Sequence, residues 1–256
     1  MDRMLMKYIL GSHSKVQTEF LYLETGAVPL AEVIKTRRMI YLQNILKRPK
    51  EEVIRKVYEA QKLSPVMGDW TELVTKDFND VGIILNEKEI IGKSKSEHKS
   101  LVKDNIKQHV FDKLKKLQLG HSKISHIKYK TFETQKYLTN HKLNNHEVSL
   151  LFSLRSRTAR EFKANFPYNI EQLCPFGCEE LDTQEHCLLC EKAYPNSLRN
   201  PDIVYDDIFS DDSAKQLAAV KLIATLLERR EDTSSLNTGP SCCPEGDSNS
   251  SHACLV

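Results

Sequence analysis

The chain has 256 residues, long enough for one large domain or two small ones with real cores. Apolar residues make up 40% and charged residues 28%, with one Trp, 9 Gly and 9 Pro, which excludes a low-complexity or fibrous chain and favours a helix-rich one. The net charge of +2 conceals a split: residues 1–170 carry 31 Lys and Arg against 19 Asp and Glu, whereas residues 171–256 carry 6 against 16.

In chain order, "VQTEFLYLET" (16–25) predicts a short helix that Gly26 ends. "VPLAEVIKTRRMIYLQNILKRPK" predicts a longer one, with Pro29 in its first turn, an apolar stripe of Leu30, Val33, Ile34, Ile40 and Ile45, and Pro49 as its stop. "EEVIRKVYEAQKLSP" reads as a helix closed by Pro65. Asp69 and Glu72 have capping-box spacing and start a helix with Trp70, Leu73, Val74 and Phe78 inward. "VGIIL" reads as a short strand or a buried turn. From Glu97 to Leu119 a long helix is expected on Leu101, Ile106, Val110, Leu114 and Leu117, with Gly120 beyond its end. Asn145 is positioned to cap "HEVSLLFSLRSRTAREFKANF", which should run to Pro167. Ser210 to Asp212 introduce a last helix with Leu217, Val220, Ile223 and Leu227 on one face and Arg229 and Arg230 at the negative end of its dipole. After Asp232 no period remains, and the segment reads as a disordered tail. The expected fold is mainly α, with about seven helices.

No apolar run approaches the length of a membrane span. "MLMKYIL" is short and interrupted by Lys7, so it does not read as a secretory signal. Cys254 lies third from the end, which is not a prenylation box. The chain is therefore expected to be intracellular, with reduced thiols.

Four of the seven cysteines fall in "CPFGCEELDTQEHCLLC", and none precedes it. Cys174, Cys178, His186 and Cys190 form a C-x3-C-x7-H-x3-C pattern. Zinc takes four soft or borderline donors in a tetrahedron, supplied as two close pairs. Pro175 and Gly177 sharpen the first loop, and His186 and Cys190 stand four apart on one helical face, with Asp182 or Thr183 as cap. Cys187 points away by about a quarter turn. Idle thiols are the alternative, and a redox pair is less favoured because no C-x-x-C stands in a thioredoxin-like setting. Four protein ligands leave no open position, so one structural zinc per chain is the expectation. Cys242, Cys243 and Cys254 have no second ligand pair near them and read as unstructured thiols.

The basic block suggests phosphate contacts, or else solvated helix faces. Its two concentrations are the stretch holding Lys113, Lys115, Lys116, Lys123, Lys128 and Lys130, and "LRSRTAREFK" with Arg155, Arg157, Arg160 and Lys163. On the expected helix Arg157 and Arg160 share a face. No aromatic signature for base stacking accompanies them. No phosphate-binding loop, nucleophile elbow or H-E-x-x-H is present. "VYDD" (204–207) approaches the Y-x-D-D of polymerases, but Val204 stands where the aromatic belongs, so it reads as the acidic lead-in to a helix. "NPDIVYDD" lacks the E/D-x-K that a nuclease site of that type needs. The chain is expected not to be an enzyme.

"LGSHSKVQTEFLYLETGAVPLAEVIKTRRMIYLQNIL", with its LYLETG and RR…YL elements, resembles the region that follows the polymerase in non-LTR (LINE-type) retrotransposon reverse transcriptases. "VYEAQKLSPVMGDWTELVTKDF" and "LQLGHSKI" fit the same context. "CPFGCEELDTQEHCLLC" resembles that family's zinc-binding module, with a first loop one residue longer than the commoner form. The likeness spans roughly residues 5–230. It implies a helical thumb/linker-like region at 1–144, an Arg-rich helix and CCHC module at 145–195, a C-terminal helix at 196–232 and a tail at 233–256. It further implies RNA and target-DNA handling through phosphate contacts, a polymerase domain before Met1 whose catalytic carboxylates this chain lacks, and a nuclear location for an active element protein. The chain is then a fragment, an element relic or a host-adopted sequence. The rival expectation is a helical protein-interaction scaffold stapled by the zinc.

Overall fold

The computed structural model describes residues 16–162, 173–192, 203–210 and 212–236, together with Met6, Tyr8 and Leu10. Among them are nine α-helices, no strand and one isolated antiparallel bridge between Leu173 and Leu181, so the fold is mainly α. The helices are α1 (Thr18–Thr25), α2 (Leu30–Leu46), α3 (Val53–Leu63), α4 (Trp70–Asp80), α5 (Glu87–Gly92), α6 (Lys95–Gln118), α7 (Asn145–Arg155), α8 (Gln184–Leu189) and α9 (Ser213–Leu236). No helix among the described residues is long and apolar enough to cross a membrane.

Local chemistry accounts for most boundaries. Asp69 accepts from the Glu72 amide to start α4. Ser94 with Glu97, and Asn144 with Glu147, form complete capping boxes at α6 and α7, so α6 begins two residues before Glu97 and the cap of α7 is Asn144 rather than Asn145. "VGIIL" resolves as a turn at Val81–Gly82 that leads into irregular chain, and α5 behind it was not expected. The helix expected to reach Pro167 stops at Arg155. The Thr158 amide donates to the Ser153 carbonyl (2.9 Å) and the Arg157 amide to Leu154 (3.1 Å), a Schellman closure with Arg157 at φ 52° in the place glycine usually takes. Arg157 and Arg160 therefore do not share a helix face. At the other end of the chain α9 continues past Asp232 to Leu236, which leaves Arg229 and Arg230 inside the helix rather than at its end.

One core runs from Val16 to Leu227. α6 packs antiparallel to α2: the buried His98 ring meets the Met39 carbonyl at 3.1 Å at one end, and Lys113 approaches Glu32 at the other. The inward face of α2 is Met39, Leu42, Ile45 and Leu46, whereas Leu30 and Ile34 of the expected stripe are 58% and 47% exposed. On α6 the core side is Val102, Ile106, Val110, Phe111 and Leu114, with Leu101 and Leu117 turned outward. The irregular segment 119–143 buries Ile124, Ile127, Tyr129, Phe132 and Tyr137. Gln118 supports this by donating to the buried Ile124 and Ile127 carbonyls at 2.6 and 2.7 Å. α7 lies at the centre, with Phe152 against Phe20 of α1 at 5.0 Å, and α9 packs across it.

Gly26 ends α1 at φ 62°, and a Cβ there would lie 2.6 to 2.8 Å from backbone atoms of Glu133 and Thr134. That close approach lets the Gln135 amide reach the Glu24 carbonyl at 2.8 Å. Gly26→Ala adds a left-handed alanine and an overpacked contact, which together are expected to cost about 3 kcal/mol. Urea unfolding checks this, and an unchanged midpoint would contradict it.

Candidate metal centre

The cluster is built on two short pieces of backbone. The first is a hairpin: the Cys174 amide donates to Glu180 at 2.9 Å, the Gly177 amide to Cys174 at 3.1 Å, and Leu173 bridges Leu181. Gly177 takes φ 76°, which lets the chain turn tightly enough to bring Cys178 back beside Cys174. The second piece is α8. Of the two candidate caps, Thr183 is the one used: its hydroxyl accepts from the His186 amide at 3.0 Å. The Cys190 amide closes onto the His186 carbonyl at 2.8 Å, which holds these two side chains on one side of the turn.

The result is four donor atoms, from Cys174, Cys178, His186 and Cys190, all within 4.8 Å of one another, a set that can hold one metal ion. Cys190 Sγ is 3.6 Å from both Cys174 Sγ and Cys178 Sγ, and Cys178 Sγ is 2.9 Å from His186 Nε2. The sulfurs are well beyond the roughly 2.05 Å of a disulfide. Cys174 and Cys190 are buried, and Cys178 and His186 are partly open. Burial pushes the Cys174 thiol up to about 12, so a thiolate there at neutral pH calls for a cation beside it. Cys187 is outside the donor set. It is 3% exposed, and burial pushes its thiol up to about 12 as well, in spite of the Arg230 guanidinium beside it, which suits a neutral thiol packed inside the module.

The module is tied to the helical body by polar contacts. Asp182 is 1% exposed and receives a two-pronged bond from Arg230 of α9 at 2.7 and 2.8 Å. Arg230 also donates to the Glu161 carbonyl at 2.6 Å and lies over the Phe162 ring. Gln184 donates to the Leu154 carbonyl at the end of α7 and meets the Tyr205 hydroxyl. These anchors were not foreseen. Only the acid next to the capping threonine hinted at one of them.

The expected phosphate-binding residues fare differently from one another. Lys113, Lys115 and Lys116 project from the last turns of α6, and Lys128 and Lys130 are exposed on the segment that follows. Lys113 is 3.9 Å from Glu32, and Lys115 lies over the Phe111 ring. Lys123 is half-buried and reaches the Arg157 carbonyl at 3.4 Å. Arg160 is exposed, and Lys163 lies outside the described residues. Arg157 is half-buried and paired with Glu185 of α8 at 2.7 Å. Arg155 must be withdrawn as a phosphate contact. It is 2% exposed, and its guanidinium is taken by Glu24 at 2.8 and 3.0 Å and by the Ile208 carbonyl at 2.7 Å. Asp207, in the "VYDD" stretch, accepts from the Val204 amide and so caps a short 3-10 turn (Tyr205–Phe209).

Comparison of the chain with protein-family models, with curated proteins and with solved structures finds no match.

Proposed function

We propose that this chain is a zinc-stapled, non-enzymatic helical unit that binds nucleic-acid phosphates, of the kind that follows the polymerase in LINE-type reverse transcriptases. The observation that carries the proposal is the donor cluster at 174–190. Around zinc, with Zn–S of about 2.3 Å, a tetrahedral S···S edge is about 3.8 Å, close to the two 3.6 Å separations. Three thiols and an imidazole favour zinc over calcium or magnesium, which take oxygen. With four protein donors the ion has no open position, so its part is to hold the hairpin against α8.

Phosphate binding then falls to the exposed lysines at the end of α6 and on the segment after it, with Arg160. Arg155 is spent on a buried ion pair and takes no part, and Arg157 is engaged by Glu185 in a half-exposed one. The lysines are point charges on long stems, which suits contact with a backbone irrespective of sequence. Titration with single-stranded RNA and duplex DNA at several salt concentrations tests this. Lys115→Ala, Lys116→Ala and Lys128→Ala combined should lower the salt slope for single-stranded RNA by roughly two units, at about 0.7 per contact. An absence of binding at low salt, or a slope unchanged in the triple variant, would reject the reading.

A further inference from the structure

A groove of about 450 Å³ lies between α2 and α6. Val28, Val33, Ile40 and the almost fully buried Ile106 give it an aliphatic floor, and Arg37, Lys99, Lys103 and Lys107 form its rim. Among the described residues no carboxylate lines it. The acids nearest in sequence are occupied elsewhere: Glu32 approaches Lys35 and Lys113, Glu97 closes the Ser94 cap, and Asp104 accepts from Ser100. The outward face of α2 extends the floor sideways, with Leu30 and Ile34 about half exposed and Tyr41 at 40%.

We infer that this groove is a docking site for an acidic amphipathic helix of a partner protein. Lys99, Lys103 and Lys107 recur every four residues, which on α6 is a step of about 6 Å and a cationic rail of about 12 Å. Carboxylates at i, i+4 and i+8 on a facing helix have the same spacing, and its apolar positions would seat on the valine and isoleucine floor. Nucleic acid fits less well. The phosphates would meet the rail, but among the described residues no aromatic ring lines the groove itself, and Tyr41 beside it already packs edge-on with Trp70. The inference does not rest on the nucleic-acid reading, whose lysines begin at Lys113, beyond the groove.

The test is a display selection of 16-residue random peptides on the whole chain, with counter-selection on a Lys103→Glu/Lys107→Glu chain. Both lysines are exposed, so the variant should fold, and circular dichroism checks that it does. Enriched sequences should carry net negative charge and apolar residues at i, i+3, i+4 and i+7. A synthesised winner should bind at least tenfold more weakly to the charge-reversed chain and to Arg37→Glu. A scrambled peptide of identical composition should also bind at least tenfold more weakly to the parent. The inference fails if no sequence is enriched, if enriched sequences lack the apolar period, or if the scrambled peptide binds equally. It also fails if the charge reversal leaves peptide binding intact while abolishing binding of single-stranded RNA, which would assign the groove to nucleic acid.

Discussion

Cys178→Ser is expected to abolish tight metal binding, whereas Cys187→Ser leaves one metal ion per chain. Both are thiol-to-hydroxyl changes of the same size, nine residues apart and within the same module. What separates them is direction: Cys178 Sγ sits 2.9 Å from His186 Nε2 and 3.6 Å from Cys190 Sγ, while Cys187 packs inward outside the donor set. Serine is a poor ligand for a zinc-type ion, so the loss should be at least a thousandfold in affinity, or about 4 kcal/mol. Since residues 173–181 are joined by only a few backbone hydrogen bonds around the Leu173–Leu181 bridge, that hairpin should lose its amide protection when the metal is lost. Cys187→Ser should instead cost no more than about 1–2 kcal/mol of stability, because the more polar hydroxyl stays buried beside the Arg230–Asp182 pair. Elemental analysis of protein purified under reducing conditions, followed by competition with a chromophoric chelator, measures both. Metal affinity should also fall as pH falls, because the thiolates and the imidazole must be deprotonated to bind. Equimolar metal in Cys178→Ser, or none in the parent chain, would remove the site.

The parts of this fold that could be read in advance are those encoded within a few residues. The Asp69–Glu72 start of α4, the Gly26 stop of α1 and the Cys/His spacing are all short-range chemistry, and all three stand in the structure. What could not be read falls into two kinds. One is a helix end without punctuation: α7 closes on Arg157, a residue that carries no turn signal, so the helical pattern of the sequence runs on past the end of the helix. The other is pairing across long separations. Asp182 and Arg230 are 48 positions apart, Glu24 and Arg155 131 apart, and nothing local marks them as partners. The face of a helix that is apolar on two sides is a related case. α2 carries Leu30 and Ile34 outward and Met39 and Leu42 inward, and periodicity alone does not say which side meets α6. A signal for Arg155 did exist. "LLFSL" before it is apolar but for the small Ser153, close to the pattern of a helix buried all round, and a cation at the end of such a run needs an internal counter-charge.

Arg155→Met is expected to destabilise the whole fold by about 3–5 kcal/mol while leaving nucleic-acid binding by the folded protein unchanged. The guanidinium joins three elements: it pairs with Glu24 of α1 from its place on α7, and it donates to the Ile208 carbonyl ahead of α9. It is sandwiched near the Tyr137 and Phe209 rings, at 5.3 and 5.5 Å. Burial acts to lower its pKa, but the Glu24 carboxylate outweighs this and holds it above the ordinary arginine value, so the guanidinium stays charged across the working pH range. Methionine fills a similar volume, so the loss comes from Glu24, which would remain buried without its cation, although the Tyr129 hydroxyl still donates to it at 2.5 Å. Removing the second charge as well should therefore restore much of the loss. In Glu24→Gln/Arg155→Met the coupling between the two positions is expected to be about 2 kcal/mol or more. Urea unfolding of the parent, both single variants and the double variant gives the cycle, and salt titration of RNA binding gives the independent readout. A phosphate-contacting arginine would show the reverse pattern, with near-normal stability and a smaller salt slope, because an exposed side chain contributes little to folding and releases a counterion on binding.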